Sequence, residues 1–122
     1  MPNTNDWLLM QPQPGNFLLT DEEGLSREVM ILKATEDKIP AGTILGKVST
    51  TGKVVPFNPT ATDGSQNPVG ILYAPHNGVN LDVDVLVIAR LAEVREDSLF
   101  GLTPDTRDAT AAALAQINII LR

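Results

Sequence analysis

From residue 28 onward the chain breaks into short apolar runs, each closed within a few residues by Gly, Pro, Asn or Asp, and this punctuation limits the fold to a mostly β domain. Val29-Met30-Ile31-Leu32 is the first run, and residues 43–49 are the second. Between them Ile39-Pro40-Ala41-Gly42 makes a turn, with Pro fixing φ and Gly free to take a positive one. Thr50-Thr51-Gly52 predicts a hairpin turn into a strand at 53–57, which Pro56 must place at an edge or terminate because proline donates no ladder hydrogen bond. Val69-Gly70-Ile71-Leu72-Tyr73 is the next strand, and residues 81–93 form the longest β-rich run. There Val83, Val85 and Val87 alternate with Asp82, Asp84, Leu86 and Ile88, the pattern of a strand exposed at its start and buried on both faces later.

The last third contains the one convincing helix. Thr103 is suited to the N-cap, Pro104 to the first helical position, and Asp105 to the positive end of the dipole. Residues 106–116 follow, with Ala109, Ala112, Ala113 and Ile117 near helical spacing. An Ala-rich helix buries little area per residue, so it is expected to pack tightly on a sheet or a subunit interface. The run Ile117-Asn118-Ile119-Ile120-Leu121 then returns to the sheet.

Residues 1–27 differ in texture. They hold three of the nine prolines and the acidic run Asp21-Glu22-Glu23, yet also two apolar clusters, Trp7-Leu8-Leu9-Met10 and Phe17-Leu18-Leu19. The only Trp of the chain stands here between polar and Pro-rich flanks. We read the segment as an extended arm, 1–27, that orders on a partner, with a segment packed on its own domain as the alternative, preceding a β-rich domain at 28–122.

Composition removes several kinds of chemistry. With 122 residues the chain is one ordinary domain that buries roughly two thirds of its unfolded surface. It has no Cys and a single His, so disulfides, thiolate zinc sites, Cys nucleophiles and His-cluster metal sites are excluded. Aromatic residues are only 4%, which leaves the core to Val, Ile, Leu and Ala. The net charge is -6 with scattered Lys and Arg, so nucleic acid and anionic membranes are poor partners. No apolar segment reaches the roughly 20 residues of a membrane-spanning helix. The first residues lack a positively charged leader and a long apolar stretch, as expected of a protein made in the cytoplasm.

The residues that could carry chemistry are few. His76 lies in a turn with no Ser or Cys near it in sequence. Asp82 and Asp84, two apart on a strand, point to one face, and Asp63 could join them from its loop. Such a set suits a hard cation or an acid/base pair, so a small metal-dependent hydrolase is one alternative. The loop at Thr62-Asp63-Gly64-Ser65 lacks the alternating acidic ligands of a calcium loop, and its glycines fit no phosphate-binding fingerprint. It is read as a structural turn leading to a strand in which Gly70 permits a bulge or a close backbone approach. A second alternative is a β-rich ligand-binding or adaptor module, since Ile39-Pro40-Ala41-Gly42-Thr43 resembles a turn of small β-clip domains.

Gly52-Lys53-Val54-Val55-Pro56-Phe57, the loop with Thr62-Asp63-Gly64, and Val69-Gly70-Ile71-Leu72 together resemble the central segment of lambda-type bacteriophage head decoration proteins. Gln11-Pro12-Gln13-Pro14-Gly15 is similar to that family's Gln-Pro-rich arm, and the closing helix and β run agree as well. The run at 81–96 is longer and richer in Val than the family pattern, and 97–101 has no counterpart in it. The resemblance implies an α+β, mostly β domain, a small β-barrel or β-tulip with a short C-terminal Ala-rich helix and an extended N-terminal arm. It implies a structural virion protein, not an enzyme, with no cofactor or metal. Its expected partners are itself, as a homotrimer, and the major capsid protein, without nucleic acid or membrane. Such trimers cement the outside of the expanded icosahedral capsid at threefold and quasi-threefold sites against internal DNA pressure. The expected capsid contacts are Trp7, Leu8, Leu9, Met10, Phe17, Leu18 and Leu19, with the arm adding to a capsid sheet edge. Asp63, Gly64 and Gly70 are expected to be structural.

Overall fold

The computed structural model describes residues 14–22 and 24–122. Its elements in chain order are β1 (Leu18–Asp21), β2 (Arg27–Leu32), β3 (Ile44–Lys47), β4 (Val54–Pro56), β5 (Pro68–Leu72), β6 (Val83–Ile88), β7 (Ala92–Val94), a 3-10 turn (Glu96–Ser98), α1 (Arg107–Gln116) and β8 (Ile119–Leu121). Five strands close a barrel in the order β2-β4-β3-β5-β6, and β1-β7-β8 form a separate small sheet. The expected mostly β fold with a barrel and one short C-terminal helix is therefore what the chain adopts.

The strand sequences explain this arrangement through their two-residue period. Leu32, Leu45, Val54, Leu72 and Val87 come from all five barrel strands and meet, with Ile39, in the barrel interior. Their neighbours Ile44, Ile71 and Ile88 must then point out of the same wall. They lie side by side, because the register pairs Ile44 with Ile71 and Ile71 with Ile88. All three are fully buried, since Phe17, Ala92, Val94, Leu114 and Ile119 cover them. The small sheet and the helix therefore form a second layer on the β3-β5-β6 wall. This two-sided burial is why residues 71–72 and 87–88 are continuous apolar pairs rather than alternating ones.

Gly70 stands where β5 passes against β6. A Cβ there would lie 2.4 Å from the Val87 side chain and 2.7 Å from the Ile88 carbonyl oxygen. The neighbour that demands glycine thus belongs to the same subunit, and it is the β6 backbone. Pro56 ends β4, as expected, and Gly52, at φ 72°, turns the β3-β4 hairpin.

Three expectations are corrected. The run at 81–93 is two strands in different sheets, because the chain turns at Leu91 (φ 53°) and Ser26 clasps the bend by donating its hydroxyl to the Leu91 carbonyl at 2.8 Å. The helix begins at Arg107 with Thr106 as N-cap, not at Thr103. Thr103 instead accepts the Thr106 N–H at 3.3 Å and closes a turn over 104–106, one turn before the helical ladder starts. At the other end Asn118, at φ 62°, carries the chain out of α1 into β8, which runs parallel to β7.

The third correction concerns the boundary at residue 27. Residues 18–21 are a strand of the small sheet, paired with β7, and Phe17 is 1% exposed in the core between the two layers. Asp21 also holds Arg27 at 2.8 Å, tying β1 to the start of β2. The described residues from Pro14 onward are therefore part of the domain, and Asp21, the first residue of the acidic run, ends β1. Replacing Phe17 by Ala is expected to lower unfolding stability by about 3–5 kcal/mol, the usual loss for a buried aromatic. Denaturant unfolding measures it, and a loss below ~1 kcal/mol, typical of surface changes, would contradict the core position.

Candidate functional site

The residues suspected of chemistry are held apart in structural roles. The Asp63 carboxylate accepts the Ser65 N–H at 3.0 Å and the Ser65 hydroxyl at 2.6 Å, folding 63–65 back on itself. These two bonds hold the Asp63 carboxyl below the ordinary carboxylate range. Gly64 turns at φ 109°, where a Cβ would stand 2.3 Å from the Ser49 hydroxyl oxygen. The loop is clamped to the turn that follows β3 by the Ser49 N–H, which donates to the Asp63 carbonyl at 2.8 Å.

Asp82 serves a different junction. One carboxylate oxygen accepts the Ala34 N–H at 2.8 Å and the other meets the Lys53 ammonium at 2.5 Å, so the ends of β2 and β6 are tied to the start of β4. The lysine contact and the backbone bond both lower its pKa. Asp84 stands exposed on the outer barrel face opposite Ile31. Among the described residues no group of three or more acidic or His side chains is placed to hold a metal ion. His76 is 8% exposed, and its backbone exchanges both hydrogen bonds with Ile39. Among the described residues its Nε2 has no partner, and it lines a hollow of about 290 Å³ with Pro75, Val79, Asp84 and Leu86.

What remains is surface. Of the seven expected contact residues, Trp7, Leu8, Leu9 and Met10 lie outside the described residues. Phe17 is in the core, Leu18 packs against it, and Leu19 is exposed. Leu19 shares the outer face of the small sheet with Ile120, beside Glu93, which is held by Arg122 at 2.6 Å and Thr20 at 3.2 Å. A second apolar surface is the outer side of β2, where Val29 and Ile31 project to 61% and 46% exposure. The four-residue run 29–32 signalled a strand, but it could not say which of its two faces had a cover. A groove of about 300 Å³ lined by Ile39, Pro40, Pro56, Phe57 and Phe100 is the third.

The Asp63 turn yields a pH test. A carboxyl whose folded pKa is lowered stabilises the fold above the ordinary value of about 3.9, and the contribution is lost as pH falls through the lowered one. Asp63→Ala is expected to lower the unfolding midpoint at neutral pH, and the gap to the native protein closes in acid. Thermal unfolding against pH reads it, and a gap that persists in strong acid would assign the effect to something other than the charge.

The described residues thus present separated carboxylates, one enclosed His and several exposed apolar faces. A search of curated protein sequences finds no significant match. A family model described as bacteriophage lambda head decoration protein D matches residues 8–119, which takes in every described strand up to the first residue of β8, together with the helix. The chain therefore belongs to the lambda head decoration protein D family of structural phage proteins, and its role is to decorate the capsid of the virion.

Proposed function

We propose that the protein is a cement for the mature head. Three copies associate, the trimers settle on the outside of the expanded icosahedral shell at threefold and quasi-threefold positions, and they hold neighbouring capsid subunits together against the pressure of packaged DNA. The observation that carries this reading is the family match over residues 8–119.

The attachment arm is residues 1–13, with Trp7, Leu8, Leu9 and Met10 as its apolar contacts. Leu19, exposed on the small sheet, lies on the body that follows it. The Gly15 N–H donates to the Tyr73 carbonyl at 2.9 Å, so the arm leaves the domain from a fixed point. Four apolar side chains do not by themselves offset the entropy of ordering about ten backbone residues. Strand addition to an edge of the capsid protein adds the backbone hydrogen bonds that are missing. Three arms on one trimer raise the effective concentration for the second and third contacts, so weak single contacts give durable attachment.

Deleting residues 2–13 is expected to leave a folded trimer that no longer cosediments with expanded phage shells. The full chain should bind expanded shells and ignore unexpanded ones, and its mass in solution should be three times the 13.1 kDa of one chain. A strict monomer at high concentration, or a truncated protein that still saturates the shells, would overturn the corresponding part of the reading.

A further inference from the structure

We infer that Asn77-Gly78 is a self-modifying site, at which the Gly78 amide nitrogen closes on the Asn77 side chain and converts it to aspartate and isoaspartate. The reaction is independent of how the protein attaches to a capsid.

Asn77-Gly78 is the one Asn-Gly step in the chain. Ring closure requires the backbone nitrogen that follows an Asn to reach the carboxamide carbon of that Asn. Glycine, with no Cβ, leaves this approach open. Every other Asn precedes either Pro, whose nitrogen has no N–H to lose, as at Asn58 and Asn67, or a residue whose side chain crowds the approach.

The fold leaves the step free. Asn77 is exposed, and the segment 77–79 lies outside every strand and helix. Among the described residues neither the Asn77 carboxamide nor the Gly78 N–H has a hydrogen-bond partner. The bonds stop on either side of the step. His76 exchanges backbone hydrogen bonds with Ile39 at 2.8 and 3.0 Å, and the Asn80 N–H donates to the Thr35 carbonyl at 2.9 Å. Asp63-Gly64 offers the same ring-forming atoms but is locked. Its carboxylate holds the Ser65 N–H and hydroxyl, and the Gly64 N–H donates to Gln66 Oε1 at 2.8 Å.

Water is the only co-reactant. The Gly78 nitrogen loses its proton to solvent and bonds to the Asn77 carboxamide carbon, while the amide group takes up a proton and leaves as ammonia. The resulting succinimide adds one water. Opening at the side-chain carbonyl gives aspartate, and opening at the main-chain carbonyl gives isoaspartate, with the backbone routed through Cβ. Either product adds a negative charge to a chain whose formal net charge is already -6. The new carboxylate belongs to the residue that lines one hollow with His76 and Asp84. Isoaspartate also lengthens the backbone between the two anchors, next to Gly78, where a Cβ would lie 2.3 Å from the Glu36 carbonyl oxygen. The loop must shift to accept it.

The test incubates the full chain at neutral and at mildly alkaline pH, natively and in guanidinium chloride, and follows its peptides by mass spectrometry. Protein isoaspartate methyltransferase labels the isoaspartate product. The peptide carrying residue 77 should gain the mass that replaces NH2 by OH, faster as hydroxide rises, and should take the label. Its native rate should lie within a few-fold of the rate in denaturant. Asn77→Gln, which needs a larger ring, should slow the gain by at least an order of magnitude. That side chain is exposed and unbonded among the described residues, so the variant should unfold thermally as the native protein does. A native rate an order of magnitude below that in denaturant overturns the proposal, because the fold then protects the step. A mass gain at another Asn while Asn77 stays intact overturns it as well.

Discussion

The row Ile44, Ile71 and Ile88 across β3, β5 and β6 is the interaction on which the rest of the structure depends. A barrel of five short strands has an interior too small to stabilise 122 residues by itself, and its outer wall would otherwise present three large aliphatic side chains to water. Covering that row requires a second layer, and the chain supplies it from both termini. Phe17 comes from the front, Leu114 and Ile119 from the back, and Ala92 and Val94 from the middle. The N-terminal strand and C-terminal helix are therefore held by the same three residues.

That arrangement also sorts the surface. The β3-β5-β6 wall is covered, whereas the outer face of β2 is not, so Val29 and Ile31 remain exposed while Ile88, one strand away, is fully buried. The two aliphatic side chains thus stand on a strand face that the described part of the fold leaves uncovered. The polar residues are used within the fold. Asp63 and Asp82 spend their hydrogen-bonding capacity on nearby N–H groups and on Lys53, and so fasten loops instead of gathering into a site.

Much of the fold was legible from residue pattern. The β3-β4 hairpin, the stop at Pro56, the β5 strand and a helix over 107–116 follow from Gly, Pro and periodicity, which act within a few residues of themselves. The polar turn at Asp63 was legible for the same reason. Strand β1 was not, because Leu18–Asp21 has only four residues and is flanked by Pro-rich and acidic stretches. Its pairing with β7 joins residues more than seventy positions apart, and no local rule reports such a partner. The split of 81–93 escaped for a related reason. Leu91 takes a left-handed conformation that its side chain does not favour, and it is held there by Ser26, which lies far away in the chain.

The sequence by itself determined the class of the domain, the positions of its turns, the absence of Cys chemistry and, through Gly52 to Leu72 and the Gln-Pro segment, the resemblance to its family. These are properties of composition and short-range stereochemistry. Only the tertiary structure decided which face of each apolar run is covered, that Phe17 belongs to the core, and that Gly70 is required by the β6 backbone of its own subunit. Burial depends on what arrives from elsewhere in the chain, and a two-residue period names two faces without saying which one will meet a neighbour.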